Sequence, residues 1–212
     1  MRRTIAAALL ALVAVAGCSS SGSTKTHSAK PSQLVGAAGT ASGFQGMGLD
    51  PAQPRPSFTL TDTKGQLFPF AQKTGGHPTL LFFGYTNCPD VCPTTLFDIS
   101  AALRTLPQAV QKETYVVFVT TDVKRDTGPV LAKWLANFTT GVSAQFVGLR
   151  GTQVQIDAAQ TAAHITLAED DGQTHSAQVL LYGSDDYARV TYLQSTNEQQ
   201  QIAHDLPLVT KG

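Results

Sequence analysis

Hydrophobic and polar positions form alternating blocks along the chain from residue 57 onward. Continuous apolar runs at 79–83 and 115–119 predict buried strands, because a strand covered on both faces needs apolar side chains at consecutive positions. A shorter run at 57–60 predicts a further strand. Between and after these runs, apolar residues recur every three or four positions, which predicts helices at 96–106, 130–138 and, with a weaker pattern, 152–163.

The last third of the chain predicts a hairpin followed by a helix. Residues 178–182 and 188–193 form two strand patterns around a G-S-D-D turn, and residues 196–206 have helical spacing. Alternating strands and helices favour a sheet with parallel strands and helices on both faces. The predicted fold class is therefore α/β, with a central mixed sheet closed by a C-terminal hairpin and helix. A cysteine pair at the end of the first buried strand, where a helix begins, indicates a thioredoxin-like fold.

The first 50 residues have a different composition from the rest. Residues 1–17 begin with two arginines and continue as an apolar stretch that is shorter than the ~20 residues of a membrane span, which is typical of a secretory signal peptide. The segment V-A-G-C at 15–18 resembles the bacterial lipobox, which implies cleavage before Cys18 and lipidation of that cysteine; ordinary cleavage is the alternative. Residues 18–50, rich in Ser, Gly and Ala, predict a flexible tether, and 51–212 the folded domain. This organisation predicts a protein anchored by lipid on the extracytoplasmic face of the cell membrane.

Charge gives no indication of a partner. Fifteen basic and fifteen acidic residues give a formal net charge of zero, and neither sign forms a run. A chain without a charged field has no electrostatic basis for binding nucleic acid or an anionic surface. We therefore predict no nucleic-acid partner, and any other partner has to be inferred from a local site.

The chain has three cysteines, and two of them remain once Cys18 is assigned to the lipid anchor. Cys88 and Cys92 are four positions apart, so their Cβ atoms would approach to about 5–6 Å on a helix. Such a pair can share a metal ion or close a disulfide. The nearby start of a helix favours the thiolate form, which both metal binding and thiol exchange need. A purely structural disulfide is a weaker explanation, since so small a loop removes little entropy from the unfolded chain.

Four motifs connect the chain to a known family: P-S-F-T-L-T-D at 56–62, F-G-Y-T-N-C-P-D-V-C-P at 83–93, T-D-V-K-R-D-T at 121–127 and T-H-S at 174–176. With these motifs the chain resembles the Sco (SenC-type) copper proteins, which help to assemble the dinuclear copper centre of cytochrome c oxidase. The resemblance implies a thioredoxin fold and a copper site formed by Cys88, Cys92 and His175. It also implies that Asp122 lies behind the ligands, in a position to orient His175. One residue departs from the family, because Val123 stands where proline is usual.

The function implied by the resemblance is that of a metallochaperone and not of an enzyme. It would receive copper from a donor chaperone and deliver it to the oxidase subunit that carries the dinuclear centre. Two thiolates and an imidazole suit copper in either oxidation state, although zinc could occupy the same ligands.

Two redox functions are the alternatives. A thiol-disulfide reductase would use one cysteine to attack and the other to resolve. Against it, three residues separate the cysteines where thioredoxin-like reductases have two, and residues 170–181 lack the proline that those enzymes place opposite the pair. A peroxidase is disfavoured because the P-x-x-x-T-x-x-C arrangement of peroxiredoxins is missing around Cys88.

Overall fold

The computed structural model describes residues 43–210, which fold around one eight-stranded sheet. The predicted signal peptide, the lipidation at Cys18 and most of the predicted tether lie outside these residues. The strands are β1 (Met47–Pro54), β2 (Thr59–Asp62), β3 (Leu67–Pro69), β4 (Thr79–Gly84), β5 (Tyr115–Thr120), β6 (Gln145–Arg150), β7 (Val179–Tyr182) and β8 (Tyr187–Tyr192). The helices are α1 (Phe70–Thr74), α2 (Val91–Thr105), α3 (Gln108–Glu113), α4 (Gly128–Leu135), α5 (Gln153–Ala162) and α6 (Glu198–Thr210). None of them combines the length and the hydropathy needed to cross a bilayer.

The sheet is mixed, as predicted. Its strand order is β1-β8-β7-β4-β5-β6-β2-β3, with β4, β5 and β6 parallel and the remaining neighbours antiparallel. The predicted hairpin is formed by β7 and β8. Because β4 and β5 are parallel, their carboxyl ends meet at the same end of the sheet, where a ligand site is expected in an α/β fold.

Helices cover both faces of the sheet, which confirms the second part of the prediction. Leu80 and Phe82 of β4 pack with α2, α4 and α6, whereas Leu81 and Phe83 pack with α1 and α5. The alternation follows from the two-residue period of a strand. It explains why β4 reads as a continuous apolar run, since all six of its residues are buried.

The folded domain begins earlier than predicted, because β1 starts at Met47, inside the segment 18–50 that we assigned to the tether. The backbone N–H groups of Gln45 and Gly46 donate to the buried carboxylate of Asp205 on α6, both at 2.8 Å. The sequence M-G-L-D-P-A-Q-P does not alternate like a strand, since glycine and two prolines interrupt it. The segment nevertheless forms a strand, because it pairs with β8 at one edge of the sheet.

Strand β6 was also missed, together with the short elements β3, α1 and α3. Gln145–Arg150 contains Gly148 and ends in arginine, so it lacks the apolar run that identified β4 and β5. Packing favours glycine at position 148, because a Cβ there would lie 2.7 Å from a methyl group of Leu135 in α4 and would displace it. The close approach of α4 to the sheet thus removes the side chain that would have marked the strand.

The register also fixes where the chain enters the domain. Met47 pairs with Thr191, Thr191 with Leu180, and Leu180 with Leu81. Each of these pairings is antiparallel, so the amino end of β1 and the carboxyl end of β4 point in the same direction. The backbone preceding Met47 therefore lies at the end of the sheet that carries the two cysteines.

The opposite end of the sheet is closed by Arg55, whose side chain is only 2% exposed. Its Nε donates to Asp186 at 2.7 Å, and its two remaining nitrogens donate to Thr74 Oγ1, Thr79 Oγ1, His77 O and Gly183 O. Burial lowers the pKa of this guanidinium, and the Asp186 carboxylate opposes that shift. The planar fork of an arginine suits such a closed network.

Candidate metal centre

The two cysteines lie where β4 passes into α2. Strand β4 ends at Gly84, and α2 begins at Val91, so Cys92 lies in its first turn. Gly84 allows this packing, because a Cβ at that position would be 2.6 Å from Cys92 Sγ. Pro93 is tolerated in the same turn, where a backbone N–H would have no partner within the helix.

The three predicted ligands lie together. The sulfurs of Cys88 and Cys92 and a ring nitrogen of His175 are all within 4.8 Å of one another. Cys92 Sγ is 3.3 Å from His175 Nε2, and the backbone N–H of Cys92 points to Cys88 Sγ at 3.4 Å. Both cysteines are free thiols. Among residues 43–210 this is the one group of three or more side chains placed to hold a metal ion.

The ring of His175 is oriented by its surroundings. Its Nδ1 is 2.9 Å from the carbonyl oxygen of Ser176, which can only accept, so Nδ1 carries the proton and the Nε2 lone pair faces the cysteines. Tyr85 and Phe82 pack against the ring at centroid distances of 5.5 and 6.2 Å. Burial lowers the pKa of His175 and thereby favours the neutral imidazole, which is the form that binds metals.

The two thiols differ in their environment. Burial opposes ionisation of the partly exposed Cys88, but backbone N–H groups of Cys92, Asp90 and Val91 at the start of α2 outweigh it, and the pKa of Cys88 is lowered. Burial raises the pKa of Cys92, and the neighbouring charges of Cys88 and Asp126 add to that shift. The pair therefore combines one accessible thiol that ionises readily with one enclosed thiol that does not.

The loop that carries His175 is held against the end of β5 by Thr121. Its hydroxyl lies 2.6 Å from Gly172 O and 3.1 Å from Gly84 O, so one side chain contacts the histidine loop and the end of β4. Gly172 has a φ of +88°, and a Cβ there would be 2.0 Å from Thr121 O, so this approach requires glycine. The role of Thr121 was not predicted from the sequence; its signal was a polar residue directly after a buried strand.

Asp122 lies close to the site but its hydrogen bonds go elsewhere. Its carboxylate is buried and pairs with Arg125, whose guanidinium lies 5.9 Å from the ring centre of Tyr85. Among the described residues no hydrogen bond joins Asp122 to His175. The two side chains are connected through a chain of contacts from Asp122 to Arg125, then to Tyr85 and then to His175. The orienting role of Asp122 stays a prediction. The neighbouring Val123 is partly buried against the core on the α5 side.

The donor set is soft. Two sulfurs and an imidazole nitrogen suit copper or zinc and suit the hard ions magnesium and calcium poorly. The chain matches the SCO1/SenC family model over residues 47–210. The chain belongs to the SCO1/SenC family. The resemblance inferred from the motifs is thus confirmed.

Individual members of the SCO1/SenC family agree with this assignment. A SCO2-like protein of Rickettsia typhi is 33% identical over 141 residues, which cover 66% of this chain and 64% of that protein. The solution structure of apo Sco1 from Thermus thermophilus matches with a TM-score of 0.65 and 27% identity, covering 80% of this chain and 99% of the other. The structure of Bradyrhizobium japonicum ScoI with copper bound has a TM-score of 0.56 and 30% identity, covering 74% and 99%. These likenesses confirm the thioredoxin-like fold.

Proposed function

We propose that this SCO1/SenC protein binds copper through Cys88, Cys92 and His175 and acts as a metallochaperone. The observation that carries the proposal is the convergence of two free sulfurs and one imidazole nitrogen within 4.8 Å. The copper-bound Bradyrhizobium relative, which is 30% identical, supports copper over zinc as the metal. Copper would be the cargo of the protein, captured and later released.

The arrangement suits capture followed by transfer. Cys88 is the more exposed sulfur, so it would meet the incoming ion or the acceptor first. Cys92 and His175 lie deeper and would complete the coordination once Cys92 has lost its proton, because only the thiolate binds the metal. Release would follow the reverse order, with the thiols of an acceptor replacing the ligands one at a time.

A copper titration of the reduced full-length protein tests the site. We expect one copper per chain and a thiolate-to-copper charge-transfer absorption band. Cys92→Ala and His175→Ala should each remove or shift the band and speed loss of copper to a chelator. The matched control is His77→Ala, since His77 lies in a loop at the Arg55 end of the sheet and pairs with Glu113. Equal spectra for His175→Ala and His77→Ala would contradict the ligand assignment.

The acceptor and the location belong to the same proposal. We infer that copper passes to the cytochrome c oxidase subunit that carries the dinuclear copper centre, and that a lipid on Cys18 keeps the protein at the extracytoplasmic face of the membrane. The motif resemblance and the V-A-G-C segment support these two steps. Cells with Cys18→Ser should release the protein from the membrane fraction, and cells without the protein should make oxidase that lacks copper in this centre.

One observation favours a second function, thiol-disulfide exchange. The accessible Cys88 has a lowered pKa and the enclosed Cys92 lies beside it, which is the asymmetry expected of an attacking and a resolving thiol. The Cys88 thiolate would attack an acceptor disulfide, and Cys92 would then displace the acceptor thiolate while the Cys88–Cys92 disulfide forms. Rapid reduction of disulfide substrates by the metal-free protein would support this function, and failure to reduce them would leave copper delivery alone.

A further inference from the structure

Asp126 is a buried carboxylate that the proposed copper ligands do not explain. It lies in the T-D-V-K-R-D-T motif, four residues after Asp122, and its side chain is fully enclosed. Among the described residues no lysine, arginine or histidine lies within ion-pair distance of it. A buried charge without a counter-ion is costly unless several donors satisfy it.

The hydrogen bonds that its carboxylate accepts all come from two threonines beside the site. Thr86 donates its backbone N–H to Oδ2 at 2.9 Å and its hydroxyl to Oδ1 at 2.6 Å. Thr120, the last residue of β5, donates its hydroxyl to Oδ2 at 2.5 Å. One carboxylate therefore joins the end of β5 to the loop that leaves β4.

That loop carries the first ligand. Thr86 is two residues before Cys88, and Cys88 N–H closes a turn onto Tyr85 O at 3.3 Å. The segment between Gly84 and Val91 has no strand or helix to fix it, so side-chain contacts to the segment help to determine where Cys88 lies relative to Cys92. Asp126 holds both the backbone N–H and the side-chain hydroxyl of Thr86 in this segment.

We propose that Asp126 is a positioning residue for the copper site: by holding Thr86 it fixes the loop that places Cys88 at the distance where both sulfurs and His175 share one ion. This inference rests on the proposed copper binding for its consequence, but not for its geometry. Geometry and not charge is the essential property. Asparagine can keep every contact, since its amide oxygen can accept from Thr86 N–H and the Thr120 hydroxyl while its NH2 donates to the Thr86 hydroxyl.

The test compares Asp126→Ala and Asp126→Asn with Ser100→Ala. Ser100 is the matched control, because it is fully buried on α2 and its hydroxyl donates a 2.6 Å hydrogen bond to Phe138 O, away from the loop. The first measurement is amide hydrogen exchange of the metal-free protein. We expect Asp126→Ala to speed exchange in residues 85–90, whereas Asp126→Asn and Ser100→Ala leave that segment at the wild-type rate.

The second measurement is copper retention. We expect Asp126→Ala to shift the charge-transfer band and to lose copper to a chelator about 10–100-fold faster than wild type, the usual cost of removing a group that holds a metal ligand in place. Asp126→Asn should restore both values, and Ser100→Ala should change neither. Equal copper retention in Asp126→Ala and Ser100→Ala would overturn the proposal, and so would failure of Asp126→Asn to restore it.

Two further outcomes distinguish failure of this inference from failure of the proposed copper binding. If Asp126→Ala does not fold, Thr86→Val decides, because it removes one donor from the same carboxylate, and unchanged copper retention in that variant would overturn the inference. If the wild-type protein binds no copper, the proposed function fails. The exchange rates of residues 85–90 then still decide whether Asp126 holds the loop.

Discussion

The two ends of the central sheet each bury a charged side chain and treat it differently. At one end, Arg55 has an acidic partner, and all the N–H groups of its guanidinium donate to groups of the same domain. At the other end, Asp126 has only neutral donors, and beside it Cys88, Cys92 and His175 bring three metal-binding atoms within 4.8 Å of one another. The difference separates stability from function, because the Arg55 network holds the fold while the three converging atoms can bind a metal ion.

Removing the guanidinium of Arg55 should destabilise the end of the sheet that it closes. We expect Arg55→Ala to lower the free energy of unfolding by about 3–5 kcal/mol, since it leaves buried hydroxyls and carbonyls without donors. Urea unfolding of the metal-free protein measures the loss. Protein that remains folded should keep the copper spectrum of the wild type, and a lost spectrum would show that the two ends are not independent.

The control for Arg55 is Arg189, an arginine of β8 in the β7–β8 hairpin. Arg189 pairs with Asp185, but both side chains are 42% exposed. Exposed ion pairs contribute about 0–1 kcal/mol, so Arg189→Ala should have a small effect. Similar losses for the two variants would mean that burial of Arg55 is not what stabilises this end.

Another buried ionisable side chain, Glu198 at the start of α6, lies in neither network. Its side chain is fully buried, and within residues 43–210 neither of its oxygens has a hydrogen-bond partner. Burial, with the negative charge of Asp98 on α2 adding to it, raises the pKa of Glu198 to about 7. Tyr192 of β8 also lies near it and has its own pKa raised, mainly by burial.

The raised pKa predicts a pH-dependent stability. The folded state holds this proton more tightly than the unfolded state, so the stabilising contribution is complete below the unfolded pKa of 4.5 and is lost as pH rises through about 7. The shift corresponds to about 3 kcal/mol. Glu198→Gln should therefore be more stable than wild type at pH 8 and should lose less stability between pH 5 and 8 in urea unfolding. The exposed Glu169→Gln is the control, and parallel curves for Glu198→Gln and wild type would contradict the prediction.

The smallest expected effect concerns Cys88 and Cys92, the two thiols at the metal-centre end of the sheet. Cys88 is partly exposed with a lowered pKa, while Cys92 is fully buried with a raised pKa. In the reduced metal-free protein at pH 7.5, iodoacetamide should modify Cys88 on the order of 10-fold faster than Cys92, as read by peptide mass spectrometry. In urea the difference should disappear. Equal rates in the folded protein would mean that Cys92 is not enclosed.

Local patterns were sufficient for most of the fold and for part of the site. The buried runs of β4 and β5 and the spacing of Cys88 and Cys92 are encoded within a few residues, so sequence alone identified them. His175 lies 83 positions from Cys92, and nothing in its neighbourhood marks it as a ligand, so it was assigned only through the family motif. The fold brings it to the cysteines because β7 pairs with β4.

The missed features share one physical cause. The roles of Thr121 and Asp126 depend on hydrogen bonds to Gly172 and Thr86, which are 51 and 40 positions away. Strand β6 is ordered by its neighbours β5 and β2 and not by its own apolar content. Contacts made across the sheet leave no periodic signal in the chain, so they became visible only in the structure.

The direction of β1 has a practical consequence for coupling this domain to a surface or a label. The amino end of β1 faces the end of the sheet that carries the cysteines, whereas Val209 O accepts from Ser184 N–H at 3.0 Å, which places the last turn of α6 against the β7–β8 turn at the Arg55 end. A support attached directly before Gly43 therefore lies nearer the metal-centre end of the sheet than one attached after Thr210. A fluorophore or resin attached after Thr210 leaves the same centre facing outward, open to an incoming protein.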